Sequence, residues 1–299
     1  MLYIGGDMIK VLDSKNKIMR LVGIDKNELD LDKTFDCGQA FRWHKEDSGE
    51  WVGFIGDRLV ILGQGQFKDT GEQGLITNIT SDNELKQLEN YLDLGMNYCE
   101  TVDKLELDKV DEFAYSCYMR GKGIHILRQD LFEVIVTFLM SQCNTMRNIR
   151  NIVNTLSNKY GTYSETEFMG KKYSGYLFPS LKQLKDCTVK DFEACKMGFR
   201  AVYLYNFIQK CLEDSEWLDR LKSEHYEIAK MQLLEISGIG EKVANCICLF
   251  GLHQISAFPI DTHIKRIIYD KYNGNIDIGK YGDIAGIIQQ YIYYNSAFM

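Results

Sequence analysis

Proline is almost missing: this 299-residue chain carries two, which excludes proline-rich spacers and argues against long disordered linkers. It has no run of about 18 apolar residues, and no basic N-terminal region leads into an apolar core. Neither a membrane span nor an export signal is expected, so the expected setting is cytoplasmic, and nucleoid-associated in a prokaryote. The nine cysteines, at 37, 99, 117, 143, 187, 195, 211, 246 and 248, include no Cys-x-x-Cys pair. Reduced thiols are expected in place of a disulfide framework. Nor is positive charge in excess. The formal net charge is −7, an unfavourable start for a partner gripped through its phosphates.

What the chain does have is an ordinary globular composition, 45% hydrophobic and 26% charged, with enough length for one large core or two. Its charge is unevenly placed. Residues 76–119 hold ten acidic and three basic side chains, a local −7, whereas residues 120–172 hold eight basic and four acidic, a local +4. A basic face beside an acidic flank is expected, and such a surface can accept DNA.

Short aromatic and β-branched runs open the chain. Ala40–His44, Trp51–Ile55 and Arg58–Leu62 are separated by Lys45–Glu50 and Gly56-Asp57, which predicts an antiparallel meander with a tight turn at Gly56-Asp57. From Asn83 onward the periodicity is helical. Leu131, Val134, Ile135, Phe138 and Leu139 share one face behind Asp130, a candidate N-cap, and Ile149, Ile152, Val153 and Leu156 share another. Tyr160–Tyr176 is polar and glycine-punctuated and is expected to be a surface loop. Helices are expected after Pro179-Ser180, over Lys190–Cys195, over Phe199–Cys211 and through the Trp217–Ile236 region. The fold class is therefore α+β, with residues 1–112 as a small antiparallel β domain plus linking helix and residues 113–299 as an all-helical body. No internal repeat is present.

Leu233–Arg266 is the most informative stretch. Ser237-Gly238-Ile239-Gly240 separates two apolar-periodic segments. Met231, Leu233, Leu234 and Ile236 can pack inward before the turn; Val243, Cys246, Ile247 and Phe250 fall at helical spacing after it. This predicts a helix-hairpin-helix at about 228–252. Gly238 and Gly240 allow positive φ and close backbone approach, and the free amides of the second helix attract an anion such as a DNA phosphate. Lys242 sits in that helix's first turn. The positive end of the helix dipole disfavours a second cation there, and desolvation in a pocket acts the same way, so both favour the neutral, nucleophilic amine. Asp261, after Pro259, is placed to cap a further helix, and hydrogen bonds from backbone amides favour its charged form.

Gly238-Ile239-Gly240-Glu241-Lys242-Val243-Ala244-Asn245-Cys246-Ile247-Cys248 and Pro259-Ile260-Asp261-Thr262-His263, with Asp36-Cys37-Gly38-Gln39-Ala40-Phe41-Arg42-Trp43, resemble the motifs of the helix-hairpin-helix–Gly/Pro–Asp DNA glycosylases. The likeness is to their lysine-bearing 8-oxoguanine DNA glycosylase branch and runs from about Leu31 to Tyr293. It implies a bifunctional glycosylase and lyase acting on double-stranded DNA that contains an oxidised purine. Lys242 would attack the sugar C1′ and form a Schiff base, and Asp261 would stabilise the cationic sugar.

The same resemblance implies that Gly38, through its carbonyl, together with Cys246, Gln289 and Tyr293, binds the base. Phe199 would wedge the stack and Arg200 would read the opposite base, with Asn144 beside it; Gly238, Gly240 and His263 would contact phosphates. The carbonyls of Leu234, Ile236 and Ile239 match positions that hold a structural monovalent or divalent cation. No cofactor is implied for the chemistry, and the cysteines lack the compact C-terminal cluster of the iron–sulfur members. Cys143 and Asn148 depart from the animal pattern for reading the opposite cytosine, which implies relaxed opposite-base preference. The expected state is a monomer.

Two other readings share these residues. A monofunctional alkyl-base glycosylase would need Asp261 but no lysine. A non-catalytic hairpin module would grip phosphates and leave both residues incidental.

Overall fold

The structure, a computed structural model, describes residues 9–13 and 18–298. Its first part is a six-stranded antiparallel sheet of β1 (Ile9–Asp13), β2 (Ile18–Val22), β3 (His44–Lys45), β4 (Trp51–Ile55), β5 (Arg58–Gln66) and β6 (Gln73–Thr77), in the order β1-β2-β6-β5-β4-β3. The β4–β5 hairpin closes with Ile55 opposite Arg58, and Gly56 takes φ +57. The meander is longer than its apolar runs suggest, and a short helix (Leu31–Phe35) capped by Asp30 interrupts it.

The run Leu59–Leu62 is continuously apolar because both faces of β5 are covered. Successive side chains point to opposite faces of a strand. Val60 and Leu62 therefore join Phe35, Trp43, Trp51, Leu85 and Leu88 on one side, while Leu59 and Ile61 meet Phe168 and Tyr173 on the other.

That second cover corrects one expectation. Tyr160–Tyr176 is not a surface loop: β7 (Tyr163–Phe168) and β8 (Lys171–Tyr176) form a hairpin that lies on the sheet. Met169 and Gly170 turn it with φ +51 and +77, the paired left-handed residues that tight hairpins require. Charged residues on its outer face hide the alternation that buries Phe168 and Tyr173. Ala40–His44 is also not a strand, since only His44–Lys45 pairs. The preceding residues are divided between two cores, with Phe41 in the helical one and Ala40 and Trp43 against the sheet.

The rest is helical. Asp130 caps Leu131–Met140 by accepting from the Glu133 N–H, and Ser180 caps Leu181–Leu184 through a capping box. The Trp217–Ile236 region is two helices, Trp217–Ser223 and Tyr226–Leu234. In the second, Ala229 and Leu233 define the buried face. Met231 and Leu234 lie off that face, 65% and 36% exposed, and do not pack inward as expected. The helices Tyr98–Lys104 and Leu107–Val110 contribute Tyr98, Val102 and Leu107 to the helical core. Among the described residues no helix is long and apolar enough to cross a membrane.

The expected basic face is partly consumed by ion pairs. Arg128 pairs with Asp93, Arg150 with Asp36, Lys159 with Asp191 and Lys171 with Glu46.

Candidate active site

The two hairpin helices, Tyr226–Leu234 and Glu241–Phe250, are joined through Gly238 and Gly240. Gly238 has φ +89, and a Cβ there would fall 2.4 Å from Tyr203 Cγ, so only glycine lets the turn settle on that ring. Gly240 occupies the N-cap position of the second helix and faces open space, which leaves the first-turn amides accessible.

Lys242 follows at once, half buried. Its Nζ donates to Ser141 Oγ at 3.4 Å and lies 5.3 Å from the centroid of the Phe138 ring. One turn on, Cys246 is 3% exposed. Burial pushes its thiol up, against the opposing influence of Lys242, and keeps it uncharged. Pro259 leads into the helix Thr262–Tyr272, whose N-cap is Asp261; its carboxylate accepts the Ile264 N–H at 2.8 Å.

The last helix, Ala285–Phe298, supplies another wall. Gln289 donates from Nε2 to the Pro259 carbonyl at 3.0 Å, while its Oε1 is buried without a partner. Tyr293 lies one turn later. Burial, reinforced by the Asp261 carboxylate, pushes its phenol well up and keeps it neutral. Gly38, at φ +82, completes the enclosure, so close to Tyr293 that a Cβ would lie 3.2 Å from the phenol oxygen.

These residues meet. Gly38, Lys242, Cys246, Asp261, Gln289 and Tyr293 line one narrow cavity of about 50 Å³, below the roughly 300–1,000 Å³ typical of small-ligand pockets. It adjoins a groove lined by Asn144 and His263, among others, that shares Gly38, Lys242, Asp261 and Tyr293. Cys246, Tyr293, the Lys242 amine and the Asp261 carboxylate all line the narrow cavity.

The remaining expected residues are arranged differently. Phe199 is 55% exposed, but Arg200 is 8% exposed and turned inward. Its guanidinium donates to the carbonyls of Gln142, Cys143 and Met197, so it braces the 141–145 loop and does not project outward as a base reader would. Cys143 in that loop takes φ +46. The Asn144 side chain donates to the Met140 carbonyl and accepts from Asn148, and is thereby engaged within the loop. His263 is exposed, its ring 5.7 Å from that of Tyr293 and edge-on to it. Of the hairpin carbonyls, that of Ile236 accepts the Ile239 N–H at 2.9 Å. Among the described residues no group of three or more His, Cys, Asp or Glu is placed to hold a metal ion.

Sequence reasoning did not place Phe138, Ser141, Gln290 or the carbonyl of Pro259 at this site. Phe138 reads as ordinary helix core, and nothing marks Ser141 or the Pro259 carbonyl. Gln290 did carry a signal, since two consecutive glutamines in the apolar run Ile287–Ile292 need buried partners.

A family model described as the 8-oxoguanine DNA glycosylase N-terminal domain matches residues 21–135. The chain is 29% identical over 289 residues to the N-glycosylase/DNA lyase OGG1 of Arabidopsis thaliana, covering 89% of this chain and 77% of that protein. The apo form of the Clostridium acetobutylicum 8-oxoguanine glycosylase/lyase matches with a TM-score of 0.83 at 31% identity, over 98% of this chain and 99% of that one. MBOgg1 in complex with a low-affinity DNA ligand matches with a TM-score of 0.84 at 30% identity, over 97% and 98%.

Proposed function

Since this chain belongs to the 8-oxoguanine DNA glycosylase family, a bifunctional N-glycosylase and DNA lyase of base-excision repair, we propose how its own residues divide that work. The Lys242 amine attacks C1′ of the lesion nucleotide. The bond from C1′ to the base N9 breaks, and the base leaves with the bonding pair and a proton. Opening of the sugar at O4′ then gives the imine between Lys242 and C1′. Removal of a C2′ proton expels the 3′ phosphate and cuts the strand. Asp261, oriented by its helix cap, faces the positive charge that builds on the sugar.

The base lies between Cys246 and Tyr293. Its pairing edge meets Gln289, whose unpartnered Oε1 is suited to a purine N–H donor. The Gly38 carbonyl accepts the N7–H that 8-oxoguanine has and guanine lacks, a difference of about 1–3 kcal/mol in a buried site. Phe199 enters the emptied stack, while Gly238, Gly240 and His263 hold phosphates. Arg200 and Asn144 act on the opposite base through the loop they stabilise. The Leu234, Ile236 and Ile239 carbonyls are hard oxygen donors, which fit an alkali or alkaline-earth cation, and the Ile236 oxygen keeps a second lone pair beside its N–H partner.

The observation that carries this reading is the convergence of an amine, a carboxylate and the side chains of Cys246, Gln289 and Tyr293 on one cavity. Borohydride trapping on an 8-oxoguanine duplex tests it. The unsubstituted protein should be captured covalently, and Lys242→Gln should bind the duplex without capture. Trapping retained by Lys242→Gln would reassign the nucleophile, whereas base release with no trapping by the unsubstituted protein would favour a monofunctional enzyme. Cys143 and Asn148 further favour weak discrimination of the opposite base. Rates on duplexes with each of the four opposite bases should differ little, and a strong preference for cytosine would overturn that part.

A further inference from the structure

Gly38 has no side chain to hold it, and at φ +82 its peptide planes are set by its neighbours. Those neighbours are fastened by two buried glutamines, Gln290 from the last helix and Gln39 itself. Gln290, 2% exposed, donates from Nε2 to the Cys37 carbonyl at 2.9 Å. Gln39, 1% exposed, donates to the Thr34 and His125 carbonyls at 3.0 and 2.7 Å, and its Oε1 accepts the Leu127 N–H at 2.9 Å. Its own carbonyl accepts from Gln129 at 2.9 Å. The residues on both sides of Gly38 are thus clamped, one to the last helix and the other to the 125–129 segment.

Gln290 also adjoins Gln289 on the same helix, and both line the cavity. A displacement of that helix would therefore move the acceptor of Gln289 and the Cys37–Gly38 turn together. We propose that Gln290 is a positioning residue for lesion discrimination: by holding the Cys37 carbonyl it sets the angle at which the following Gly38 carbonyl meets the N7 edge of the base. Gln39 performs the same task from the other side. The proposal rests on the reading that the Gly38 carbonyl is the acceptor for N7–H.

The test measures duplex binding in the Lys242→Gln background, so that the base is not released. Three duplexes are compared, carrying 8-oxoguanine, guanine, or 8-bromoguanine, which has bulk at C8 but no N7–H. Gln290→Met keeps the shape and removes the donor. It should lower the preference for 8-oxoguanine over 8-bromoguanine by about tenfold. A merely structural role would weaken all three duplexes alike and leave the ratio unchanged, which would overturn the proposal. If Gln290→Met does not fold, Gln290→Asn, one methylene too short to reach, carries the same expectation. Equal binding of 8-oxoguanine and 8-bromoguanine by the protein with Gln290 intact would instead refute the Gly38 reading itself.

Discussion

Substitution can separate the cap that Asp261 forms from the role proposed for its charge beside the sugar. Its carboxylate caps the helix Thr262–Tyr272 through the 2.8 Å bond from Ile264. Asparagine caps a helix nearly as well as aspartate, whereas alanine forfeits the cap at a cost of about 1 kcal/mol. Asp261→Asn should accordingly melt with the unsubstituted protein, and Asp261→Ala roughly 2–4 °C lower. The electrostatic role responds differently. Asp261 is half buried at the cavity mouth. There, one full charge roughly 5 Å from a sugar cation contributes about 3 kcal/mol at an effective dielectric near 20. Losing it should slow base release by about two orders of magnitude in both variants. Single-turnover release from an 8-oxoguanine duplex, read beside thermal melting, separates the two effects. An Asp261→Asn enzyme as fast as the unsubstituted one, with only Asp261→Ala slowed, would refute the charge argument and leave a cap alone.

Two further perturbations have defined outcomes. Gly38→Ala places a Cβ 3.2–3.3 Å from the Tyr293 ring tip at φ +82. It should cost about 1–2 kcal/mol in urea unfolding and weaken 8-oxoguanine binding as Tyr293 is displaced. Asp93 is 3% exposed; burial alone would push its carboxyl up, yet His253 and Arg128 outweigh it and hold it at about 2, against the usual 3.8. A depressed carboxylate stabilises the fold above its unfolded value and loses that contribution as pH falls through the folded one. Asp93→Asn should therefore remove about 2 kcal/mol at neutral pH, and its loss of stability between about pH 4 and pH 2 should be shallower in acid-denaturation curves.

Much of this architecture was legible because its signals are local. The hairpin glycines, the caps at Asp130 and Asp261, the helix start after Pro179-Ser180, and the apolar periodicity of Glu241–Phe250 each act within one or two helical turns, so neighbouring residues reveal them. Lys242 with Cys246, and Gln289 with Tyr293, share faces by helical spacing alone. What escaped depends on contacts distant in sequence. The β7–β8 hairpin buries two aromatics beneath a charged exterior, and nothing nearby in the chain indicates that a sheet lies under it. Arg200 reads as a side chain aimed at the opposite base until the carbonyls of Gln142 and Cys143 are seen to receive it. Met231 and Leu234 are apolar, but the hairpin's rotation against the body decides which face is buried.

The segment from Cys37 to Trp43 is threaded through both hydrophobic interiors, with Cys37 and Phe41 in one and Ala40 and Trp43 in the other. Neither interior can close without this one short segment, so the sheet and the helical body cannot complete their packing independently of each other.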